Sequence, residues 1–191
     1  MRIGAGRWKN ALLPDAGPEV RPVPARLRTS LFSVLAPRIG GAAVLDLCAG
    51  VGGFGLEALS RGAKRLVLVD LDRRRVEALS LWISNRRIGA EATALVADAR
   101  RGGWPPGPYD IVFVDPPFDL WRSAADALAI LDRAVASLDP DGIVVVKGPA
   151  DASLPESPRW RTVLRRAQGT VGYTLLGQAS GPPSGPADGS R

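Results

Sequence analysis

Five short apolar runs, most of them separated by helical segments, constrain the fold of this chain more than any other feature. The runs are continuous and rich in valine, leucine and isoleucine, as expected for strands buried on both faces of a sheet. Strands that alternate with helices predict a parallel sheet with helices on both faces. The predicted strands are AVLDL (43–47), LVLVD (66–70), TALVA (93–97), DIVFVD (110–115) and IVVVK (143–147).

Turn and cap residues punctuate this alternation. Asp72 is placed to cap the second intervening helix and Gly89 to end it. The segment DPDG (139–142) predicts a turn directly before the fifth strand. The three intervening helices are predicted over 53–61, 73–88 and 121–137.

The C-terminal part of the chain changes character. RWRTVLRR (159–166) and TVGYTLLG (170–177) predict two antiparallel strands at one sheet edge, joined by a tight Ala167–Gly169 turn. The fold class is therefore α/β: a mostly parallel seven-stranded sheet with an antiparallel C-terminal pair, forming one domain over 39–178. Residues 179–191 are rich in glycine, proline and serine, and we expect a disordered tail there.

The N-terminal 38 residues carry most of the excess charge. Seven basic and two acidic residues there supply +5 of the formal net charge of +6. Residues 1–22 predict an irregular basic arm, and 25–36, with leucine at every fourth position, a helix. A basic extension suggests a polyanionic partner, although a merely solvated leader explains the charge equally well.

Composition excludes several chemistries. The chain has one cysteine and no histidine, so it can form neither an intrachain disulfide nor a Cys/His zinc site, and it lacks a Ser-His-Asp triad. We predict no metal, and any catalysis must use carboxylates, backbone groups, aromatic rings or a cofactor. No apolar stretch reaches 18 residues, and the chain is expected to be a cytoplasmic monomer.

A glycine loop, DLCAGVGGFG (46–55), follows the first strand directly. Gly50, Gly52 and Gly55 match G-x-G-x-x-G, which lets a backbone turn sharply and approach a ligand. Asp70 ends the next strand, where a carboxylate can hold ribose hydroxyls. Both features suit an adenosine-containing cofactor, either a nicotinamide dinucleotide or S-adenosylmethionine.

Two further carboxylates favour S-adenosylmethionine. Asp46, just before the glycines, would repel a pyrophosphate but can bind the methionine ammonium or offset the sulfonium charge. Asp98, after the third strand, can accept a hydrogen bond from the adenine amine, although a simple turn residue is nearly as good a reading. The predicted cofactor-binding residues are Asp46, Ala49, Gly50, Gly52, Gly55, Asp70 and Asp98.

The fourth strand ends in Asp115-Pro116-Pro117-Phe118. Two prolines after a buried strand stop the sheet ladder and fix the backbone. Asp115 and the Pro116 carbonyl can then orient an exocyclic base amine and favour its developing charge, while Phe118 stacks on the base. We therefore predict Asp115, Pro116 and Phe118 as catalytic. Cys48 lies in the cofactor loop and is interpreted as a packing residue.

With these residues assembled, the chain resembles the bacterial small-subunit ribosomal RNA guanine-N2 methyltransferases of class I Rossmann-like fold. The resemblance is carried by RIGAGRWKN (2–10), VRPVPARLRTSLFSVL (20–35), LDLCAGVGGFGLEALSRGA (45–63), IVFVDPPF (111–118) and GTVGYTLL (169–176). It implies methylation of guanine 966 in 16S ribosomal RNA, with ribosomal RNA or the small subunit as partner. The predicted RNA-contacting residues are Arg7, Lys9, Arg21, Arg26, Arg28 and Pro117.

Departures from the family pattern leave other functions open. Val23 replaces a threonine, Thr29 stands at an acidic position, and Lys147 stands where the family often has glutamate. The same chemistry serves the N6 amine of adenine or the N4 amine of cytosine, in DNA or another RNA. A nicotinamide-dependent oxidoreductase and a catalytically silent RNA-binding assembly factor are the remaining alternatives.

Overall fold

One seven-stranded sheet organises the chain in a computed structural model that describes residues 1–14 and 24–179. The strand order is β3-β2-β1-β4-β5-β7-β6, and only β7 runs against the other six. The predicted parallel sheet with an antiparallel C-terminal pair is confirmed. The strands are β1 (Ala43–Leu47), β2 (Arg65–Asp70), β3 (Ala92–Val96), β4 (Tyr109–Val114), β5 (Leu138–Pro149), β6 (Trp160–Gln168) and β7 (Val171–Gln178).

Helices cover both faces of the sheet, as predicted. Alternate residues of each central strand point to opposite faces, so Val44 joins the core under the first three helices and Leu45 joins the core under the last one. Two apolar cores explain why the strands are apolar at nearly every position. The helices are α1 (Ala25–Ile39), α2 (Gly55–Ser60), α3 (Arg73–Asn85) and α4 (Ala124–Ala136), with a short 3-10 helix over Phe118–Arg122.

The predicted turn before the fifth strand is wrong. Leu138 pairs with Tyr109 and Ile143 with Ile111, so the four residues DPDG lie opposite one residue of β4 as an irregularity inside β5. A bulge of this kind absorbs extra residues without ending the strand.

Two other boundaries differ from the sequence prediction. Asp72 does cap α3, accepting a hydrogen bond from the Arg74 N–H, but the helix ends at Asn85. Arg87, and not Gly89, adopts the left-handed conformation that turns the chain away. The β6–β7 turn is Gly169–Thr170, two residues later than its predicted start, because Gly169 supplies the positive φ that a two-residue hairpin turn requires.

The first fourteen residues contain neither a helix nor a strand, yet they are fixed to the body of the protein. Their backbone folds back on itself through a bridge between Arg2 and Leu12, and Ile3 is buried in the core. The Gly4 N–H donates to the carboxylate of Glu57 at 2.6 Å, and Arg7 N–H donates to the α2 backbone. This segment is therefore a packed loop against α2.

The described part of the chain contains no helix that is long and apolar enough to cross a membrane. The tail predicted over 179–191 lies outside the described residues beyond Ala179.

Candidate active site

A cleft of about 970 Å³ opens at the carboxyl ends of the central strands. The order β2-β1-β4 means that the chain leaves β1 toward opposite sides of the sheet, and ligands of such sheets bind where this reversal opens a crevice. The cleft brings together nine of the residues predicted for the cofactor and for catalysis or base contact: Asp46, Ala49, Gly50, Asp70, Asp98, Asp115, Pro116, Pro117 and Phe118.

The loop after β1 is held in place by hydrogen bonds that its backbone N–H groups donate. The Ala49 N–H donates to the Val69 carbonyl at 2.9 Å, and the Gly50 N–H donates to Asp70 Oδ2 at 2.8 Å. Gly50 has a φ of +57°, and a side chain there would meet nothing within 4 Å. The positive φ therefore explains the glycine at position 50, where space for a side chain exists. The absence of a side chain leaves room in the cleft for a ligand.

Gly52 and Gly55 do not line the cleft, although both were predicted to bind the cofactor. A Cβ at Gly52 would lie 2.8 Å from Leu56 Cδ1, and one at Gly55 would lie 2.7 Å from Leu66 Cδ1. Either side chain would force its neighbours to move. Gly55 therefore lets α2 pack closely on the sheet, and Gly52 leaves room for Leu56 of α2 and Leu79 of α3. The pattern G-x-G-x-x-G thus combines one residue of the cleft wall with two packing positions.

Asp46 lies at the floor of the cleft and is 1% exposed. Its Oδ2 accepts from the Gly55 N–H at 2.8 Å, while its buried Oδ1 has no hydrogen-bond partner among the described residues. Burial raises the pKa of Asp46 well above its ordinary value, the Gly55 N–H opposes this, and nearby Asp115 and Asp70 add to the rise. A buried, unbonded carboxylate oxygen fits a cationic ligand group such as an ammonium.

Asp70 ends β2 and Asp98 follows the neighbouring β3, but the two carboxylates are bound differently. Asp70 Oδ1 accepts from the Asp72 N–H at 2.9 Å and Oδ2 from the Gly50 N–H, so this carboxylate shapes the loop. Asp98 is held by the Arg100 guanidinium at 2.9 and 3.0 Å, which lowers the pKa of Asp98. Each carboxylate borders the cleft and has lone pairs for a ligand.

Cys48 also borders the cleft, in a left-handed conformation with a φ of 60°. Burial and the surrounding carboxylates raise the pKa of its thiol. The thiol therefore stays protonated, which makes it a poor nucleophile. This agrees with its interpretation as a packing residue.

Asp115 follows β4 at the rim of the cleft, where its N–H donates to the Leu47 carbonyl at 3.3 Å. Burial raises the pKa of Asp115, and the ammonium of Lys147 opposes that rise. Lys147 Nζ donates to Asp115 Oδ1 at 2.5 Å and lies 5.5 Å from the Phe118 ring centroid. Asp115, Phe118 and Lys147 thus form one cluster.

Lys147 is the site residue that sequence reasoning missed. It was noted only as a departure from the family pattern, although it ends the strand next to β4. The register pairs Val114 with Val146, so the two residues that follow, Asp115 and Lys147, are neighbours. The sequence signal was a single charged residue at the end of the apolar run 143–146.

The residues predicted to contact RNA are divided by the structure. Arg28 and Pro117 line the cleft, and Arg28 Nη1 is buried without a hydrogen-bond partner among the described residues. Lys9 and Arg26 are exposed outside the cleft. Arg7 forms an ion pair with Glu91. Arg21 and the departure at Val23 lie outside the described residues.

Comparisons with known proteins identify relatives over most of the chain. A family described as "Conserved hypothetical protein 95" matches residues 1–177. "Ribosomal RNA small subunit methyltransferase D" of Escherichia coli (strain K12) is 33% identical over 188 residues, covering 92% of this chain and 88% of that protein. The Haemophilus influenzae protein of the same name is 30% identical over 180 residues and covers 92% of both.

A solved structure of the Escherichia coli protein yhhF has a TM-score of 0.78 and 31% identity, covering 94% of this chain and 98% of that chain. The solved structures that the chain resembles have the class I methyltransferase fold, so the predicted fold class is confirmed.

Proposed function

Because the chain belongs to the family described as conserved hypothetical protein 95, we propose that it is an S-adenosylmethionine-dependent methyltransferase acting on the N2 amine of a guanine in 16S ribosomal RNA. One observation carries the proposal. The Asp115–Phe118 segment borders the same cleft as Asp46, whose buried oxygen lacks a partner among the described residues. One cavity thus contains Asp115, which can accept hydrogen bonds from an amine, and Asp46, which can bind a cationic group.

The cofactor would be held by the glycine-loop side of the cleft. Asp46 Oδ1 would accept from the methionine ammonium, Asp70 from the ribose hydroxyls and Asp98 from the adenine amine, with Ala49 and Gly50 forming the wall. When bound, S-adenosylmethionine supplies a methyl group on a sulfonium sulfur. Asp46, beside the glycine loop, would repel a pyrophosphate, which argues against the nicotinamide alternative.

The base would be held by the other side of the cleft. An exocyclic amine is a weak nucleophile because its lone pair is delocalised into the ring. Asp115 and the Pro116 carbonyl would accept hydrogen bonds from the amine, which orients it and favours the charge that develops on it. Phe118 would stack on the base, and Pro117 would limit its position.

The ribosomal substrate rests on the names of the relatives, and the choice of guanine on the sequence resemblance. Arg28 at the cleft, with Lys9, Arg21 and Arg26, would contact phosphates beside the target nucleotide. Residues 1–38 would then be an RNA-contacting extension of the methyltransferase domain (39–178). We expect a monomer in the cytoplasm, where its substrate lies.

A methyl-transfer assay with labelled S-adenosylmethionine tests the proposal. Unmodified small subunits, naked ribosomal RNA and duplex DNA are offered separately, and the labelled nucleoside is identified by mass spectrometry. We expect N2-methylguanosine from subunits or their RNA. Label in methyladenine or methylcytosine would keep the chemistry but reject guanine, and cofactor binding without any transfer would favour the assembly-factor alternative.

A further inference from the structure

Lys147 is a charged residue in a place where charge is costly. Its side chain is 10% exposed, and it ends an apolar stretch of β5 in the middle of the sheet. Burying a lysine costs free energy unless its ammonium is paired. The only ion pair that Lys147 makes among the described residues is the one with Asp115.

The surroundings of Asp115 make this pair important for its charge. On the side of β1, Asp115 faces Asp46 and the Cys48 thiol, and neither group provides positive charge. On the 3-10 helix after it, Asp119 and Arg122 are highly exposed and pair with each other at 3.4 Å. Lys147 is therefore the one described cation in contact with Asp115.

A carboxylate can accept a hydrogen bond at both oxygens, but a protonated carboxyl presents an O–H donor. An amine approaching with its own N–H groups needs an acceptor. The described residues leave Asp115 Oδ2 without a hydrogen bond, whereas Oδ1 is taken by Lys147.

We propose that Lys147 is a positioning residue: its ammonium keeps Asp115 ionised and occupies Oδ1, so that Oδ2 is the atom that accepts from the target amine. The inference rests on the proposed function for the identity of that amine. Contact of the ammonium with the Phe118 face also links the orientation of the stacking ring to the same ion pair.

Two measurements on the full chain test this proposal. The first is a ¹³C NMR titration of the Asp115 carboxyl group without RNA, assigned with Asp115→Asn. The second is the pH dependence of kcat for methyl transfer to small-subunit RNA. Lys147→Met removes the charge at similar volume, Lys147→Arg keeps it, and thermal unfolding checks that both variants fold.

We expect Lys147→Met to move the Asp115 titration to higher pH and the acid limb of kcat to move with it. Opposite charge favours the ionised form, so its loss should lower kcat about tenfold near pH 6, with recovery as the pH rises. Lys147→Arg should keep the wild-type titration and most of the activity. A purely structural lysine would change thermal stability without moving either pH profile.

The failures can be told apart. An Asp115 titration that is the same in wild type and Lys147→Met overturns the proposal whatever the activity. A shifted titration, with an acid limb of kcat that does not move, overturns the role of Oδ2 in accepting the amine. If the titration shifts but the wild type methylates no RNA, the proposed function fails and the positioning role fails with it, while the ion pair stands.

Discussion

The cleft fixes Asp46 and Asp70 by different means from Asp115. On the β1–β2 side, Asp46 and Asp70 accept hydrogen bonds from backbone N–H groups of the glycine loop and of the α3 N-terminus. On the β4–β5 side, Asp115 is bound by a side chain, Lys147. Backbone partners cannot be removed by a substitution, whereas the partner of Asp115 is a side chain that a single substitution removes.

This difference suggests that one side of the cleft binds the cofactor and the other side acts on the base. Carboxylates bound by backbone form a pre-organised site, which lowers the entropy cost of binding a constant ligand. A carboxylate bound by one side chain keeps its charge and leaves its second oxygen open to an incoming base. Substitutions on the first side should therefore change cofactor affinity, and those on the second side should change turnover.

Asp115→Ala tests the comparison most strongly. Removing the amine acceptor should lower kcat about 100- to 1,000-fold, as loss of a transition-state hydrogen bond does elsewhere, while cofactor affinity measured by calorimetry stays unchanged. Asp151→Ala removes an exposed carboxylate after β5, outside the cleft, and serves as the control. Lost cofactor binding in Asp115→Ala would place Asp115 on the cofactor side and end the distinction.

Asp46→Asn should affect affinity and stability in opposite directions. The amide can still accept from the Gly55 N–H, but loss of the charge should weaken cofactor binding about 10- to 100-fold. The folded-state pKa of Asp46 is raised, so the wild type loses stability as the pH rises from the ordinary aspartate range through that raised value.

The Asp46→Asn variant lacks this titration and should be the more stable protein at pH 7. Its advantage should vanish in acid below the ordinary aspartate pKa, where the wild-type carboxyl is protonated in both folded and unfolded chains. Denaturant unfolding of both proteins at pH 3 and pH 7 measures this. Equal stability at pH 7 would contradict the burial argument.

Gly55→Ala separates packing from ligand contact on the glycine-loop side. Its Cβ would meet Leu66 and Asp46 within 3 Å, so we expect a loss of about 1–3 kcal/mol in the free energy of unfolding. Gly89→Ala, where a Cβ meets nothing within 4 Å, should change it by less than about 0.5 kcal/mol. If Gly55→Ala instead weakened cofactor binding without lowering the free energy of unfolding, Gly55 would belong to the cofactor site.

Lys9→Ala and Arg26→Ala should give the smallest effects, outside both sides of the cleft. If each residue contacts one phosphate, each variant should lower the slope of log affinity against log salt by about 0.7–0.9, with cofactor affinity unchanged. Filter binding to small-subunit RNA at several salt concentrations measures the slope. Lys64→Ala, at the amino edge of β2, is the control, and an unchanged slope in the two test variants would remove them from the RNA surface.

The sequence was informative wherever a local pattern had a single physical cause. Continuous apolar runs have few explanations other than doubly buried strands, so β1 was predicted to the residue and the other central strands were located correctly. A glycine motif can serve either close approach of a ligand or close packing of helices. The spacing of the glycines alone did not reveal that Gly50 lines the cleft whereas Gly52 and Gly55 are packing positions.

Two specific long-range hydrogen bonds escaped sequence reasoning. The bond from Gly4 to Glu57 joins residues 53 apart, and it turns part of the predicted irregular arm into a packed loop. The Asp115–Lys147 pair joins residues 32 apart on neighbouring strands. No residue of these pairs showed its partner in the sequence: the register of the sheet pairs Asp115 with Lys147, and packing of the N-terminal loop on α2 pairs Gly4 with Glu57.

The position of β7 between β5 and β6 has a consequence for synthesis of the protein on the ribosome. β7 is the last described strand to emerge, yet it pairs along β5 from Ile143 to Pro149. Until it arrives, β5 presents an unpaired apolar edge, and β6 has no strand to join. The sheet must therefore close after β7 has been made, and a chain interrupted before residue 171 would expose an edge that invites aggregation.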